Sequence, residues 1–465
     1  MADSRARTSG IDTLVILGAG GDLTSRLLLP GLGSLLGSSR GRPLQLVGSD
    51  RGELSDREFR SKVRAAFGDA GGVARTVADR ARYVQADATS GEDLAALLAG
   101  CEGRVALYFA LPPAVAAASC RALAGVELPE GLVLALEKPF GTDGASARKL
   151  NRLLQTIMPE EQVFRVDHFL GKSTVLNLLG LRFANRLFES LFSAQHVERV
   201  DIVFDETLGL EGRAGYYDKA GALVDMIQSH LLLVLALTAM EPPSSVSSED
   251  LRGAMAQVLR ATRPWAKNGT SSRRARYTAG SVGRRKLPAY VKEKGVVAGN
   301  RTETLAEVTL AVDTWRWAGV PFRLRSGKAL GDGRQEIVIT LRDVPHLPTG
   351  FHAVDRPAQI RIRLKPSTME VDLATNGSGD PFDVEWDVLR HDFGENELSA
   401  YGEVLAELME GDPTLSVRGD VAEECWRIVA PVLAAWRKDA VPLDSYKAGS
   451  AGPSRWGTPP EAAGR

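Results

Sequence analysis

The first strongly apolar run, Thr13 to Leu17 (TLVIL), shows no polar alternation, as expected of a strand buried on both faces. A glycine-rich turn follows, and from Thr24 to about Leu36 the apolar positions take helical spacing. Leu44 to Val47 (LQLV), the Tyr83 and Val84 region, Val105 to Ala110 (VALYFA) and Leu132 to Leu136 (LVLAL) are further strand candidates. Helix-length segments rich in Ala, Leu, Glu and Arg lie between them, and this alternation predicts an α/β half with a parallel sheet and crossover helices. Near Val200 the pattern changes. Shorter alternating strands, among them Val200 to Phe204 and Ile337 to Leu341 (IVITL), lie beside long helical stretches and predict an antiparallel or mixed sheet. A boundary near residue 175 gives domains 12–175 and 176–455, with residues 1–11 and 456–465 read as flexible tails.

A chain of 465 residues exceeds what one hydrophobic core usually organises, which agrees with two domains. Hydrophobic residues at 44% and charged residues at 25% are ordinary for a globular chain, and a formal net charge of −1 points to no polyanionic partner. Basic residues do gather between Asp250 and Lys286, including Arg273, Arg274, Arg276, Arg284 and Arg285. They lack the aromatic or motif context of a nucleic-acid site and read as a solvated basic surface. Cys101, Cys120 and Cys425 lie far apart with no C-x-x-C pair, which suggests neither a disulfide framework nor a zinc site and fits a reducing cytoplasm. The start, MADSRARTSG, has no apolar core of signal-peptide length. The longest uncharged apolar run, Leu231 to Met240, is about half of what spans a bilayer, so no membrane segment is expected.

Several segments carry chemistry. Directly after the first strand, Gly18-Ala19-Gly20-Gly21-Asp22-Leu23-Thr24 allows a tight turn and close backbone approach to a pyrophosphate at the next helix's N-terminus. Leu23 stands where the G-x-G-x-x-G fingerprint has its third glycine, so the match rests on context, strand before and helix after. The second strand runs into Val47-Gly48-Ser49-Asp50-Arg51, the neighbourhood where an acid holds a ribose 2′-hydroxyl and an arginine a 2′-phosphate. Arg51 with Ser49 argues for NADP, and an inward-pointing Asp50 for NAD.

Arg165-Val166-Asp167-His168-Phe169-Leu170-Gly171-Lys172 packs an acid, an imidazole and an ammonium at the end of a strand-like run, Gln162 to Val166. Its tail, Gly171-Lys172-Ser173-Thr174, imitates a P-loop, but the required earlier glycine would fall at Val166, which rejects a nucleotide-triphosphate site. In Asp225-Met226-Ile227-Gln228-Ser229-His230, a helix exposes Gln228 and Ser229 and packs the following Leu231-Leu232-Leu233-Val234 inward. His230 alone would usually be a satisfied core histidine. Lys328, at the end of Val320 to Lys328, by itself reads as a turn residue.

Taken together, these segments resemble the glucose-6-phosphate 1-dehydrogenase family from Leu14 to about Pro453. The family's landmarks occur in order: GAGGDL (Gly18 to Leu23), YFALPP (Tyr108 to Pro113), EKPFG (Glu137 to Gly141), RVDHFLGK (Arg165 to Lys172), LRFAN (Leu181 to Asn185), GYYDKAG (Gly215 to Gly221), DMIQSH (Asp225 to His230) and WRWAGVPFRLRSGK (Trp315 to Lys328). The closing Tyr446-Lys447-Ala448-Gly449-Ser450 completes the set. The resemblance implies an α/β Rossmann-type N-terminal domain and an α+β C-terminal domain with a large, mainly antiparallel sheet, through which subunits pair as a homodimer or homotetramer. It implies oxidation of glucose 6-phosphate to 6-phosphoglucono-1,5-lactone, with hydride transfer to NADP, or NAD, in the oxidative pentose phosphate pathway.

Residue by residue, the resemblance makes His230 the general base and Asp167 the carboxylate that orients it. His168 and Lys172 hold the phosphate, Glu206, Asp225 and Lys328 grip the sugar, and Lys138 reaches between substrate and cofactor, beside a cis bond before Pro139. The cofactor side takes Gly18, Gly21, Asp22, Leu23, Ser49, Arg51, Tyr108 and Lys138. The set is chemically coherent without a metal: an imidazole of pKa roughly 6.5 suits proton abstraction near neutral pH, and a carboxylate partner fixes its tautomer. A phosphate handle supplies remote binding energy that positions C1.

Three positions depart from the family's pattern. Phe169 replaces a tyrosine that assists with phosphate, Gly333 replaces a basic group with Arg334 one place later, and Asp50 replaces a small residue before the cofactor-selecting arginine. Phe169 and Gly333 motivate an alternative, a paralogue oxidising a different sugar or sugar phosphate. A non-catalytic regulatory homologue is opposed by the intact His230, Asp167, Lys138 and Lys172.

Overall fold

In a computed structural model, which describes residues 10–212, 214–352, 356–394 and 396–456, the apolar runs of the first half become one six-stranded parallel sheet. Its strands are β1 (Thr13–Leu17), β2 (Gln45–Asp50), β3 (Arg82–Gln85), β4 (Val105–Phe109), β5 (Val133–Glu137) and β6 (Val163–Val166), in the order β3-β2-β1-β4-β5-β6. This is the doubly wound Rossmann order, whose direction reverses between β1 and β4 and leaves a crevice at their carboxyl ends. Alternate residues of one strand serve opposite faces: Leu14, Ile16 and Tyr108 join one core, while Val15, Leu17, Leu107 and Phe109 join the other. That is why these strands are apolar throughout.

Two compact units are present. The first comprises the described residues up to Leu176 with Pro243–Ala254 and Asn396–Glu423. The second comprises Asn177–Pro242, the described residues 255–394 and those from Glu424 onward. The first unit thus includes stretches far along the chain. The helix Ala400–Glu410 packs on the helix Leu29–Gly37, so closely at Gly31 that a Cβ there would lie 2.8 Å from the Tyr401 Cβ.

The tails need correction where they are described. Ile11 is fully buried and its N–H donates to the Met409 carbonyl at 2.8 Å. Trp456 is buried too, its indole N–H donating to Asp444 at 2.7 Å. Residues 1–9 and 457–465 lie outside the described residues.

The second unit's strands are β7 (Val197–Asp205), β8 (Thr262–Pro264), β9 (Ser272–Thr278), β10 (Gly280–Val282), β11 (Arg285–Leu287), β12 (Leu305–Val312), β13 (Pro321–Gly327), β14 (Gln335–Leu341), β15 (Gln359–Leu364), β16 (Ser367–Asn376), β17 (Val384–Asp392) and β18 (Leu443–Lys447). Apart from the β10-β11 hairpin they form one ten-stranded sheet, β17-β16-β15-β14-β7-β13-β12-β9-β18, with β8 paired to β12. Pairing is antiparallel except for β7 with β13 and β9 with β18. The basic stretch read as a solvated surface is partly internal: on β9, Arg274 is buried against Asp439 and the Val441 carbonyl, and Arg273 is ion-paired with Glu307. A helical stretch, Ala214–Ala239, is long and apolar enough to cross a membrane by length and composition, but 89% of its apolar window is buried. It is a core helix, interrupted at Gly221 by φ 68°.

Candidate active site

In the first unit, the chain leaves β1 at Gly18 with φ +87°, and a Cβ at this position would lie 2.3 Å from the Ala110 carbonyl oxygen. Only glycine fits. The Gly18 and Ala19 N–H groups donate to the Ser49 carbonyl (2.8 and 3.1 Å), and the Thr24 hydroxyl donates to the Gly18 carbonyl (2.9 Å). The turn is thereby fixed to the end of β2, and a helix begins at Asp22, where the first N–H groups have no acceptor within the helix.

A groove of about 190 Å³ opens here, lined among others by Gly18, Gly21, Ser49, Asp50, Arg51 and Asp87. Among the described residues the buried Ser49 hydroxyl has no protein partner, a donor suited to a ligand in the groove. Asp50 points to the turn, accepting from the Gly20 N–H (3.2 Å) and the Arg51 N–H (2.8 Å). A dinucleotide fits this donor set. Asp22 instead pairs at the surface with Arg26 (3.4 Å), and Leu23 packs on the core. Tyr108, expected at the cofactor, is fully buried and donates its hydroxyl to Glu137 (2.6 Å), so its side chain offers the groove no surface.

The Asp167 to Lys172 segment follows β6 as a tight turn. Asp167 is buried and accepts from the Phe169 N–H (3.0 Å), while the Lys172 N–H donates to the Phe169 carbonyl (3.2 Å). Arg165 is a structural anchor, fully buried against Glu160 (2.7 Å) and Asn151 (2.9 Å). The His168 ring stacks on Tyr401, with centroids 5.4 Å apart and planes 14° from parallel. The Lys172 ammonium sits 4.1 Å from the centroid of the Phe169 ring, so this phenylalanine, though lacking a hydroxyl, holds the cation by its ring face.

Glu137 lies at the end of β5, and the peptide between the next residues, Lys138 and Pro139, is cis. Burial pushes the Glu137 carboxyl up to about 7, opposed by hydrogen bonds from Tyr108 and Tyr401, with Asp167 raising it further and Lys138 lowering it. The first unit therefore gathers Lys138, Asp167 and His168 around two groups to which no role was given from sequence, Glu137 and Tyr401.

In the second unit, parallel pairing of β7 with β13 sets Asp205 beside Gly327, so the next residues, Glu206 and Lys328, leave the sheet together and pair at 2.6 Å. Arg334, the substitute considered for the missing basic group, faces Asp205 (3.7 Å) and Glu336 (3.6 Å). Asp225 and His230 lie on a π-helical stretch, Leu223–Leu231, packed against β12 and β13. Five residues apart on an α-helix they would diverge by roughly 140°. Bonding from i to i+5 brings such residues about one turn over one another, so one helix presents both. Both are buried, and so are Gln228 and Ser229, against the expectation that the latter two would be exposed.

The N–H of Leu223, at the start of the stretch, donates to the Glu303 carboxylate (3.0 Å). Glu303 is buried, and this burial pushes its carboxyl up to about 7. A larger surface depression of about 830 Å³, lined by Arg182, Glu189, Glu241, Trp315 and Arg316 among others, includes none of the expected site residues, and its polar walls are ion-paired with one another.

Comparison with known proteins covers nearly the whole chain. The family model for the glucose-6-phosphate dehydrogenase NAD binding domain matches residues 15–177, and that for the C-terminal domain of the same enzyme matches residues 179–461. Glucose-6-phosphate 1-dehydrogenase of Gluconobacter oxydans (strain 621H) is 39% identical, over 95% of this chain and 94% of its own length. That of Treponema pallidum (strain Nichols) is 36% identical, over 95% and 92%. The crystal structure of the Mycobacterium avium enzyme superposes with a TM-score of 0.85 at 33% identity, covering 96% of both chains. A glucose-6-phosphate dehydrogenase solved in complex with its substrate glucose 6-phosphate superposes with a TM-score of 0.86 at 28% identity, covering 98% of this chain and 97% of its own.

Proposed function

Because the chain belongs to the glucose-6-phosphate dehydrogenase family, we propose that it oxidises glucose 6-phosphate to 6-phosphoglucono-1,5-lactone, with His230 as general base and NADP as the preferred oxidant. The observation that carries the catalytic assignment is the π-helical stretch, which presents a buried His230 and Asp225 from one element. His230 takes the C1 hydroxyl proton as the C1–H bond breaks and the lactone carbonyl forms, and Asp167 orients the imidazole and stabilises its cation. The dinucleotide, when bound, supplies acceptance of the C1 hydride. Glu206, Asp225 and Lys328 hold the ring hydroxyls, Lys138 bridges sugar and cofactor, and His168 and Lys172 hold the phosphate.

On the cofactor side, the glycine turn brings the backbone N–H groups of Asp22 and Leu23 at the helix start to the pyrophosphate, while Ser49 and Arg51 take the 2′-phosphate. The partnerless Ser49 hydroxyl and the exposed Arg51 support this reading. Pairing of subunits through the large sheet, as homodimer or homotetramer, is supported by Leu373, Val388 and Leu389, which are exposed on β16 and β17. A cytoplasmic location is supported by the three cysteines being free.

The test is a set of initial rates with glucose 6-phosphate against NADP and NAD. Turnover with glucose 6-phosphate and a lower KM for NADP than for NAD is expected. His230→Asn should lower kcat by roughly 10²-fold or more with Tm retained, and near-normal turnover would remove His230 as base.

A further inference from the structure

Four tyrosines cluster in the second unit beside the Glu206–Lys328 pair: Tyr217, Tyr277, Tyr290 and Tyr446. Three have satisfied hydroxyls. Tyr290 donates to Asp218 (2.6 Å), Tyr277 to Glu293 (3.1 Å) and Tyr446 to the Lys328 carbonyl (2.6 Å). Tyr217 is 3% exposed, yet among the described residues no protein group hydrogen-bonds its hydroxyl. A buried hydroxyl without a partner opposes folding, and phenylalanine would fill the same space without that penalty.

The surroundings of Tyr217 indicate what the oxygen serves. The Lys328 ammonium, bonded to Glu206, lies 5.2 Å from the centroid of its ring. Its hydroxyl is held well above the ordinary tyrosine range, first by burial and then by the charges of Asp225, Glu303 and Glu206, with Tyr446 contributing, so it is a donor at any working pH. Thus the acids and the lysine near Tyr217 include all three residues assigned to the sugar. A sugar hydroxyl both donates and accepts: given to a carboxylate, it still has an oxygen lone pair to be met by a phenol.

We propose that Tyr217 is a specificity-determining residue whose hydroxyl donates to a ring hydroxyl of the sugar held by Glu206, Asp225 and Lys328. This rests on the functional reading above. Tyr217→Phe removes one oxygen and keeps the ring. In the full-length protein the variant should raise KM for glucose 6-phosphate roughly threefold to tenfold, leave KM for the dinucleotide unchanged and leave Tm no lower than wild type.

The 2-, 3- and 4-deoxy analogues of glucose 6-phosphate locate the contact. Wild type should discriminate against each, and the variant should lose discrimination at one position only. An unchanged KM and deoxy profile would overturn the proposal and assign the hydroxyl to a buried water. A fall in Tm with equal rises in both KM values would also overturn it, as the mark of a structural role. If wild type turns over glucose 6-phosphate, either outcome leaves the functional reading standing. If it does not, that reading fails first.

Discussion

The proposed cofactor end of this molecule is built mainly from backbone and the proposed sugar end from side chains. At the carboxyl end of β1, the elements that matter are a positive φ at Gly18, carbonyls that fix the turn and the N–H groups of a helix start. In the second unit they are Glu206 and Lys328 at adjacent strand ends, and Asp225 and His230 on an i to i+5 helix capped by a buried carboxylate. A backbone site depends on residues that lack something, above all a Cβ. A side-chain site depends on which neighbours the fold supplies.

The sharpest way to break this contrast is Gly18→Ala. The methyl meets a backbone oxygen that cannot rotate away, in a conformation already unfavourable for L-residues. A loss on the order of 100-fold in kcat/KM for the dinucleotide is expected, with a lower Tm. A variant with wild-type cofactor kinetics would show that the turn is not the backbone cradle described.

The side-chain end makes a different prediction, visible in stability. Glu303 in the second unit and Glu137 in the first are both carboxyls raised by burial to about 7, against roughly 4.3 when unfolded. Between those values the folded protein binds more protons than the unfolded one. The stability each group contributes is therefore fully present below about pH 4 and is lost as pH rises through 7. Each is expected to account for about 1–3 kcal/mol of that fall. Glu303→Gln, which keeps an acceptor for the Leu223 N–H, should flatten the Tm profile between pH 5 and pH 8, as should Glu137→Gln. Profiles parallel to wild type would mean the carboxyls are not raised.

These differences also govern what could be read from the sequence. The sheet of the first unit was legible because strands buried on both faces leave uninterrupted apolar runs, and the turn because glycine is the only solution there. Tyr401 was not legible: it stacks on His168 only because Asn396–Glu423, a stretch read with the second domain, belongs to the first unit. Glu137 lay in a recognised motif, but its bonds to Tyr108 and Tyr401 depend on tertiary placement. Gln228 and Ser229 were misread because an α-helical period was applied to a π-helical stretch that is buried throughout. The role proposed for His230 came from the resemblance; periodicity alone left it a core histidine.

Arg51→Ala probes a place where the proposed cofactor end relies on a side chain. Arg51 is exposed and sits among Asp50 and Asp87 in the groove lining. A charge-assisted contact to a 2′-phosphate should be worth about tenfold or more in KM for NADP and nothing for NAD. Equal effects on both cofactors would contradict the assignment of Arg51.

Asp50→Ala is expected to have the smallest effect and separates two roles of one carboxylate. Asp50 accepts from the Gly20 and Arg51 N–H groups, so it steadies the glycine turn while placing negative charge beside the proposed 2′-phosphate site. Removing it relieves repulsion of NADP but frees the Gly20 N–H. For NADP the two changes oppose one another, and for NAD only the second operates. KM for NADP should therefore fall by no more than roughly threefold while KM for NAD rises slightly, because the groove is open to water and screening weakens the charge term. Equal rises for both cofactors would mean that the carboxylate acts only as a brace for the turn, leaving Ser49 and Arg51 as the side chains that discriminate between the cofactors.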